Sequence, residues 1–121
     1  MSALSTQFGG SAYSVDQPVT ETAATVLGPV DVQNYPNLGF YIQSAAGSDD
    51  VTEIVVESAP LSSGPWVQVL DIADGTSLEA EAATYGSLSN SAHKFVRVRA
   101  TCGAGDTATV STWLCASRYG L

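Results

Sequence analysis

The stretch His93-Lys94-Phe95-Val96-Arg97-Val98-Arg99-Ala100-Thr101-Cys102 gathers the single histidine and three of the four basic residues of a 121-residue chain with formal net charge -8. Concentrated positive charge in an acidic protein suggests an anion site, yet the same letters also describe the solvent face of a strand. A Ser-His-Asp triad would have to use His93, and no Gly-x-Ser-x-Gly elbow accompanies it. With one histidine, two-histidine zinc sites are excluded. No metal site, cofactor or catalytic residue is expected.

Other constellations are weaker than they look. Gly103-Ala104-Gly105-Asp106-Thr107-Ala108 matches a dinucleotide fingerprint, but that motif needs a helix next to hold the pyrophosphate, and a Thr/Val-rich strand follows instead. Asp71-Ile72-Ala73-Asp74-Gly75 resembles the start of a calcium loop, whose twelfth position needs glutamate where this chain has Ala82. Glu79 and Glu81 share the period of one strand face, and glycoside hydrolysis would need such carboxylates across a cleft. Trp66 and Trp113, with Tyr13, Tyr35, Tyr41, Tyr85 and Tyr119, hold enough ring surface for a sugar-stacking platform. The favoured expectation is that the tryptophans fill a core and the tyrosines rim it.

Elements of β type must position these groups. Strand patterns occur at Val19–Leu27, interrupted by Gly28-Pro29 before Val30-Asp31-Val32, and at Leu38–Gln43, Val51–Ser58, Trp66–Ile72, Phe95–Cys102 and Ala108–Cys115. Residues 76–91 are ambiguous between a capped helical turn opened by Thr76 and Glu79 and irregular chain containing a short strand, which is preferred. The spacing predicts an all-β fold: an antiparallel two-sheet β-sandwich, jelly-roll or immunoglobulin-like, of about eight strands. Residues 1–12 read as a flexible N-terminal arm and 13–121 as one domain.

Composition narrows the partners. The chain is 45% hydrophobic and 13% charged, apolar enough to build a core. Its negative charge opposes binding to nucleic acid or anionic lipid. The opening residues MSALSTQFGG lack the basic and apolar regions of a leader. If Gly103–Asp106 turned a hairpin, Cys102 and Cys115 would lie about 25 Å apart along it, beyond the roughly 7 Å that a disulfide spans. Two free, mostly buried thiols are expected.

The succession Ile54-Val55-Val56-Glu57-Ser58, Trp66-Val67-Gln68-Val69 and Lys94-Phe95-Val96-Arg97-Val98-Arg99 resembles a phrase common in discoidin-like carbohydrate-binding domains. It is also similar to small β-sandwich capsid decoration (cement) proteins of tailed bacteriophages. Discoidin domains are longer and carry Asp-Gly where this chain has Ser62-Ser63-Gly64-Pro65. The phage resemblance implies a non-enzymatic virion protein, made in the bacterial cytoplasm, that sits on the capsid surface. It implies the major capsid protein as partner, a homo-oligomer, with a trimer favoured, and no nucleic acid or membrane contact. The alternatives are a tail or baseplate component, or a carbohydrate-binding module stacking sugars on Trp66 or Trp113.

Candidate interface residues are Ser5, Thr6, Gln7 and Phe8 in the arm, together with Arg97, Arg99 and the strand-edge loops. Parity within Phe95–Cys102 places Val96, Val98, Ala100 and Cys102 inward. Arg97 and Arg99 then face outward, where Glu53 and Glu57 of a neighbouring strand would pair with them.

Overall fold

The computed structural model describes residues 9–90 and 92–118. Eight strands make up the regular structure of the described residues: β1 (Gly9–Val19), β2 (Ala24–Asp31), β3 (Asn37–Ser44), β4 (Val51–Ala59), β5 (Val67–Asp71), β6 (Ala83–Leu88), β7 (Phe95–Cys102) and β8 (Ala108–Ser117). They form two antiparallel sheets of four, ordered β1-β8-β3-β6 and β2-β7-β4-β5. The all-β sandwich expected from the sequence is therefore present.

Alternation explains how each sheet finds its inner face. In β8, Ala108, Val110, Thr112, Leu114 and Ala116 are buried while the residues between them are not. Strand β7 does the same with Val96, Val98, Ala100 and Cys102. Side chains of period two place these sets between the sheets, where they meet Leu38, Phe40 and Ile42 of β3 and Ile54 and Val56 of β4. Burial of that shared apolar surface is the main force holding the layers together.

Several expectations need correction. Val19–Leu27 is not one strand: Val19 ends β1, the chain turns at residues 20–23, and β2 continues through Gly28-Pro29. The β2–β7 register slips once between Thr25 and Leu27 and again across the dipeptide between Leu27 and Val30, and these bulges let the strand pass a Gly-Pro step without ending. Residues 9–12 of the expected arm belong to β1, and Ala12 is fully buried because it lies on the inward parity of a strand paired to β8. Residues 1–8 lie outside the described residues. In the ambiguous stretch no helical turn forms: Leu78 bridges to Val51, and Ala83–Leu88 pairs with β3.

The hairpin between the last two strands is also absent. β7 and β8 belong to different sheets, so Gly103–Asp106 carries the chain across the sandwich. Both cysteines are free, but only Cys102 is buried; Cys115 projects from the outer side of its sheet. Burial raises the Cys102 thiol pKa, helped by the negative charges of Asp106, Asp49 and Asp50. A thiol reagent at neutral pH should therefore label Cys115 in the native protein and reach Cys102 only on unfolding. Mass spectrometry after brief alkylation checks this, and equal labelling of both would contradict the placement.

Candidate functional site

The segment HKFVRVRATC becomes β7, and its charged face meets its own sheet. Glu57 lies directly opposite Arg97 across the β4–β7 ladder, and Arg97 Nε donates to Glu57 Oε1 at 2.7 Å. The guanidinium also lies 4.2 Å from the ring centre of Trp66. Cation, carboxylate and indole thus form one local cluster, a partly exposed arrangement worth about 0.5–1 kcal/mol for each contact.

Arg99 does not mirror this pattern. Continuing the same antiparallel register puts Val55 opposite Arg99 and Thr101 opposite Glu53. Arg99 Nη2 instead donates to the Ala23 carbonyl at 2.8 Å, tying β7 to the turn before β2. Of the expected cross-strand pairs, Arg97–Glu57 is present and Glu53 faces neither arginine, because two arginines two residues apart cannot both lie directly opposite two glutamates four residues apart in one regular antiparallel ladder. The other interface residues named from the sequence, Ser5, Thr6, Gln7 and Phe8, lie outside the described residues.

His93 Nδ1 and Ser58 Oγ are 2.7 Å apart. A nucleophile pair needs a third group orienting the imidazole, and among the described residues none is hydrogen-bonded to it. Burial lowers the His93 pKa, so the ring favours its neutral form. The calcium-like segment is a surface turn in which Asp71 Oδ1 accepts from the Asp74 amide at 2.9 Å. Gly103–Asp106 is a turn closed by the Asp106 amide on the Gly103 carbonyl at 3.0 Å, and strand β8 follows it.

The most distinctive surface is the outer face of the β1-β8-β3-β6 sheet. Tyr13 pairs with Trp113, Trp113 with Tyr41, and Tyr41 with Tyr85, which aligns four aromatic residues across four neighbouring strands. Their exposures are 52%, 37%, 47% and 46% for Tyr13, Trp113, Tyr41 and Tyr85. The Tyr41 and Tyr85 ring centres are 4.6 Å apart at an interplanar angle of 48°. Tyr85 leans across β3 at Gly39, where an added Cβ would come within 3.0 Å of its hydroxyl.

Along the strands on one side of this row, an open hollow of about 270 Å³ is bordered by Asp16, Gln43, Ser44, Glu81 and Ser111. The β1 bulge after Ser14 brings Asp16 there, and the Asp16 amide donates to Ser111 Oγ at 3.1 Å. Asp16 and Glu81 both adopt left-handed backbone conformations, with φ of 53° and 65°. Such residues persist only where surrounding structure holds them.

The expectation that both tryptophans fill the core is therefore corrected. Trp113 occupies the outward parity of β8, and Trp66 is half-buried beneath Arg97. Tyr35 alone of the described tyrosines is buried, and Tyr119 lies outside the described residues. The signal for the row was present in the letters: Tyr41 falls between Phe40 and Ile42, and Trp113 between Thr112 and Leu114. If the flanking residues point inward, the aromatic must point out.

A second surface lies on the rim of the other sheet. Ser58, Ala59, Pro60, Pro65, Val67, Val69, Ala92 and Lys94 border an open, mostly apolar hollow of about 390 Å³. It adjoins β5, an edge strand paired only with β4. Val67, which borders it, is 62% exposed, and Leu61, which follows Pro60 in the chain, is 56% exposed.

No protein-family model and no curated protein matches the chain. Among solved structures, it is similar to one from work on Bacillus endospore appendages described as disulfide-linked pili, with 14% identity, coverage of 98% of this chain and 96% of the other, and a TM-score of 0.57. It is also similar to the N-terminal cellulose-binding domain of Cellulomonas fimi β-1,4-glucanase C, with 15% identity, coverage of 95% and 82%, and a TM-score of 0.53. A chain of the cyanophage Pam1 capsid asymmetric unit aligns at 13% identity over 97% and 91%, with a TM-score of 0.42. What the first two likenesses establish is the fold: this chain is an all-β protein of two packed antiparallel sheets, sharing that architecture with a pilus structure and a cellulose-binding domain.

Proposed function

We propose that this protein is a capsid decoration protein of a tailed bacteriophage, a non-enzymatic sandwich that docks on the assembled head and stabilises contacts between major capsid subunits. The observation that carries this reading is the apolar hollow beside β5, lined by Pro60, Pro65, Val67 and Val69, with Val67 exposed on it and Leu61 exposed next to Pro60 in the chain. Exposed apolar surface at a sheet edge suits contact with another protein. Lys94 borders the hollow and supplies a positive group for an acid on the partner. The strand order β1-β8-β3-β6 over β2-β7-β4-β5 reads as a jelly roll, an architecture used in both viral shells and lectins. Fold alone does not choose between these uses.

The mechanism is thermodynamic. A ligand that binds only the assembled shell stabilises it by mass action, without chemistry. Repetition over a lattice multiplies a modest local affinity. Binding as a trimer would add avidity, provided that the three contacts can engage together.

Gradient co-sedimentation with heads assembled from the major capsid protein encoded in the same genome tests the reading. The native protein should travel with the heads at micromolar concentration. The double variant Leu61→Asp/Val67→Asp should stay at the top of the gradient, with at least about tenfold weaker binding, because it places charge in a desolvated contact. Both side chains are exposed, so circular dichroism should remain native. Absence of co-sedimentation by the native protein sinks the proposal, as does undiminished binding by the variant.

A further inference from the structure

We propose that the outer face of the β1-β8-β3-β6 sheet binds a neutral, β-linked polysaccharide, with the row Tyr13, Trp113, Tyr41 and Tyr85 stacking on its sugar rings. This goes beyond capsid docking and uses different residues on a different surface.

The shape of the apolar surface selects the ligand class. Neighbouring strands lie about 4.8 Å apart, so four aromatics in register span about 14 Å in a line perpendicular to the strands. That line is one residue deep on β8, β3 and β6, and on edge strand β1 Val15, 51% exposed, extends it. The next register row on one side is Ser11, Cys115, Gly39 and Ser87, and on the other side Ser111, Gln43 and Ala83 lie in line. A stable protein partner needs roughly 800 Å² from each side, built around a rounded apolar centre. A narrow strip instead matches a linear ligand lying across the strands. Sugar rings joined through equatorial bonds form a flat ribbon whose C–H faces can meet successive aromatic side chains; α-linked chains curve away from such a row.

Polar groups at the strip's edge supply the complement. Gln43, Ser111, Asp16 and Glu81 border the adjoining hollow and can accept or donate hydrogen bonds to hydroxyl groups. The charged side chains bordering the hollow are both acidic, and the chain carries -8 overall. That field disfavours uronic acids, sulfated glycans and phosphates, leaving a neutral sugar chain as the electrostatically suitable class.

The test is calorimetric titration of the full chain with cellohexaose, xylohexaose and β-mannohexaose. Maltohexaose and oligogalacturonate serve as α-linked and anionic counter-probes. At least one of the three β-linked hexasaccharides should bind saturably in the millimolar range or tighter, with a change in tryptophan fluorescence. Trp113→Ala should weaken that binding by about tenfold or more, as loss of a central stacking residue does. Tyr13→Ala, on an edge strand, gives a second variant that should fold normally and bind more weakly. Failure of all three β-linked probes would falsify the proposal; so would binding that survives both substitutions in folded protein, or equal binding of the anionic probe. The Leu61→Asp/Val67→Asp protein should bind the hexasaccharide normally, and Trp113→Ala should co-sediment with heads normally, so each reading fails on its own data.

Discussion

Gly28→Val should destabilise the fold by about 2–4 kcal/mol, the combined effect of a disfavoured backbone conformation and steric overlap. Gly28 has φ of +106°, and a Cβ placed on it would approach the Val96 carbonyl oxygen at 2.7 Å, Arg97 Cα at 2.9 Å and Arg97 Cβ at 3.0 Å. Two of those three contacts are backbone atoms of the neighbouring strand, which cannot rotate away. Relief requires β2 to separate from β7 between the Leu27–Val98 and Val30–Val96 pairs. Separation would also displace Arg97 from Glu57 and Trp66. Thermal unfolding should show a midpoint lower by about 8–16 °C, with altered tryptophan fluorescence before the main transition. Gly28→Ala should show a smaller shift of the same sign. An unchanged midpoint in both variants would mean that the strands are not this close.

Phe40→Ala should cost more, about 3–5 kcal/mol, because it removes a large fully buried side chain from a place that cannot close around the gap. Phe40 is the largest residue in the fully buried set, lying in β3 between β8 and β6. Its neighbours across the ladders are Leu114 and Gly86. Gly86 contributes no side chain, and Leu70 Cδ2 of β5 and Ile72 Cγ1 just after it already lie 3.1 and 3.0 Å from the place where its Cβ would be, closer than ordinary van der Waals contact. Hydrogen bonds on both edges of β3 hold its backbone in place, so the removed volume persists as a cavity. Domains of this size have about 5–15 kcal/mol in total, so a loss of about 3–5 kcal/mol takes about a fifth or more of that margin. Urea titration measures it as a lower midpoint with little change in slope. The strand that loosens also carries Tyr41 and Gln43, so glycan binding should weaken in parallel. A loss below about 1 kcal/mol would show that the core can collapse around this site.

The face assignments in β7 and β8 were legible because alternation is a local property. Val96, Val98 and Ala100 announced an inward face, which fixed Arg97 on the outward one. The same parity in Leu38–Gln43 set Tyr41 against Phe40 and Ile42. What parity could not supply was the partner of each strand. Two apolar stretches separated by Gly103–Asp106 look like a hairpin, but β7 and β8 join different sheets. Nor did it reveal the register, which set Glu57 against Arg97 and Val55 against Arg99, or the bulges in β1 and β2. A bulge adds a residue to one strand without a distinctive letter, and long-range pairing decides where it falls.

The candidate site shows the same division. Composition and periodicity determined an acidic all-β sandwich with a defined inward set on its clearest strands, because side-chain hydrophobicity and the two-residue repeat are carried by each segment alone. They also supplied the aromatic residues as an inventory. Only the tertiary structure decided that Tyr13, Trp113, Tyr41 and Tyr85, from four distant segments, share one register row. Register depends on hydrogen bonding between strands remote in sequence, a collective choice made when the whole core closes. The segment HKFVRVRATC therefore became a strand engaged largely with its own sheet, while a binding row emerged on the other sheet from residues that no contiguous motif connects.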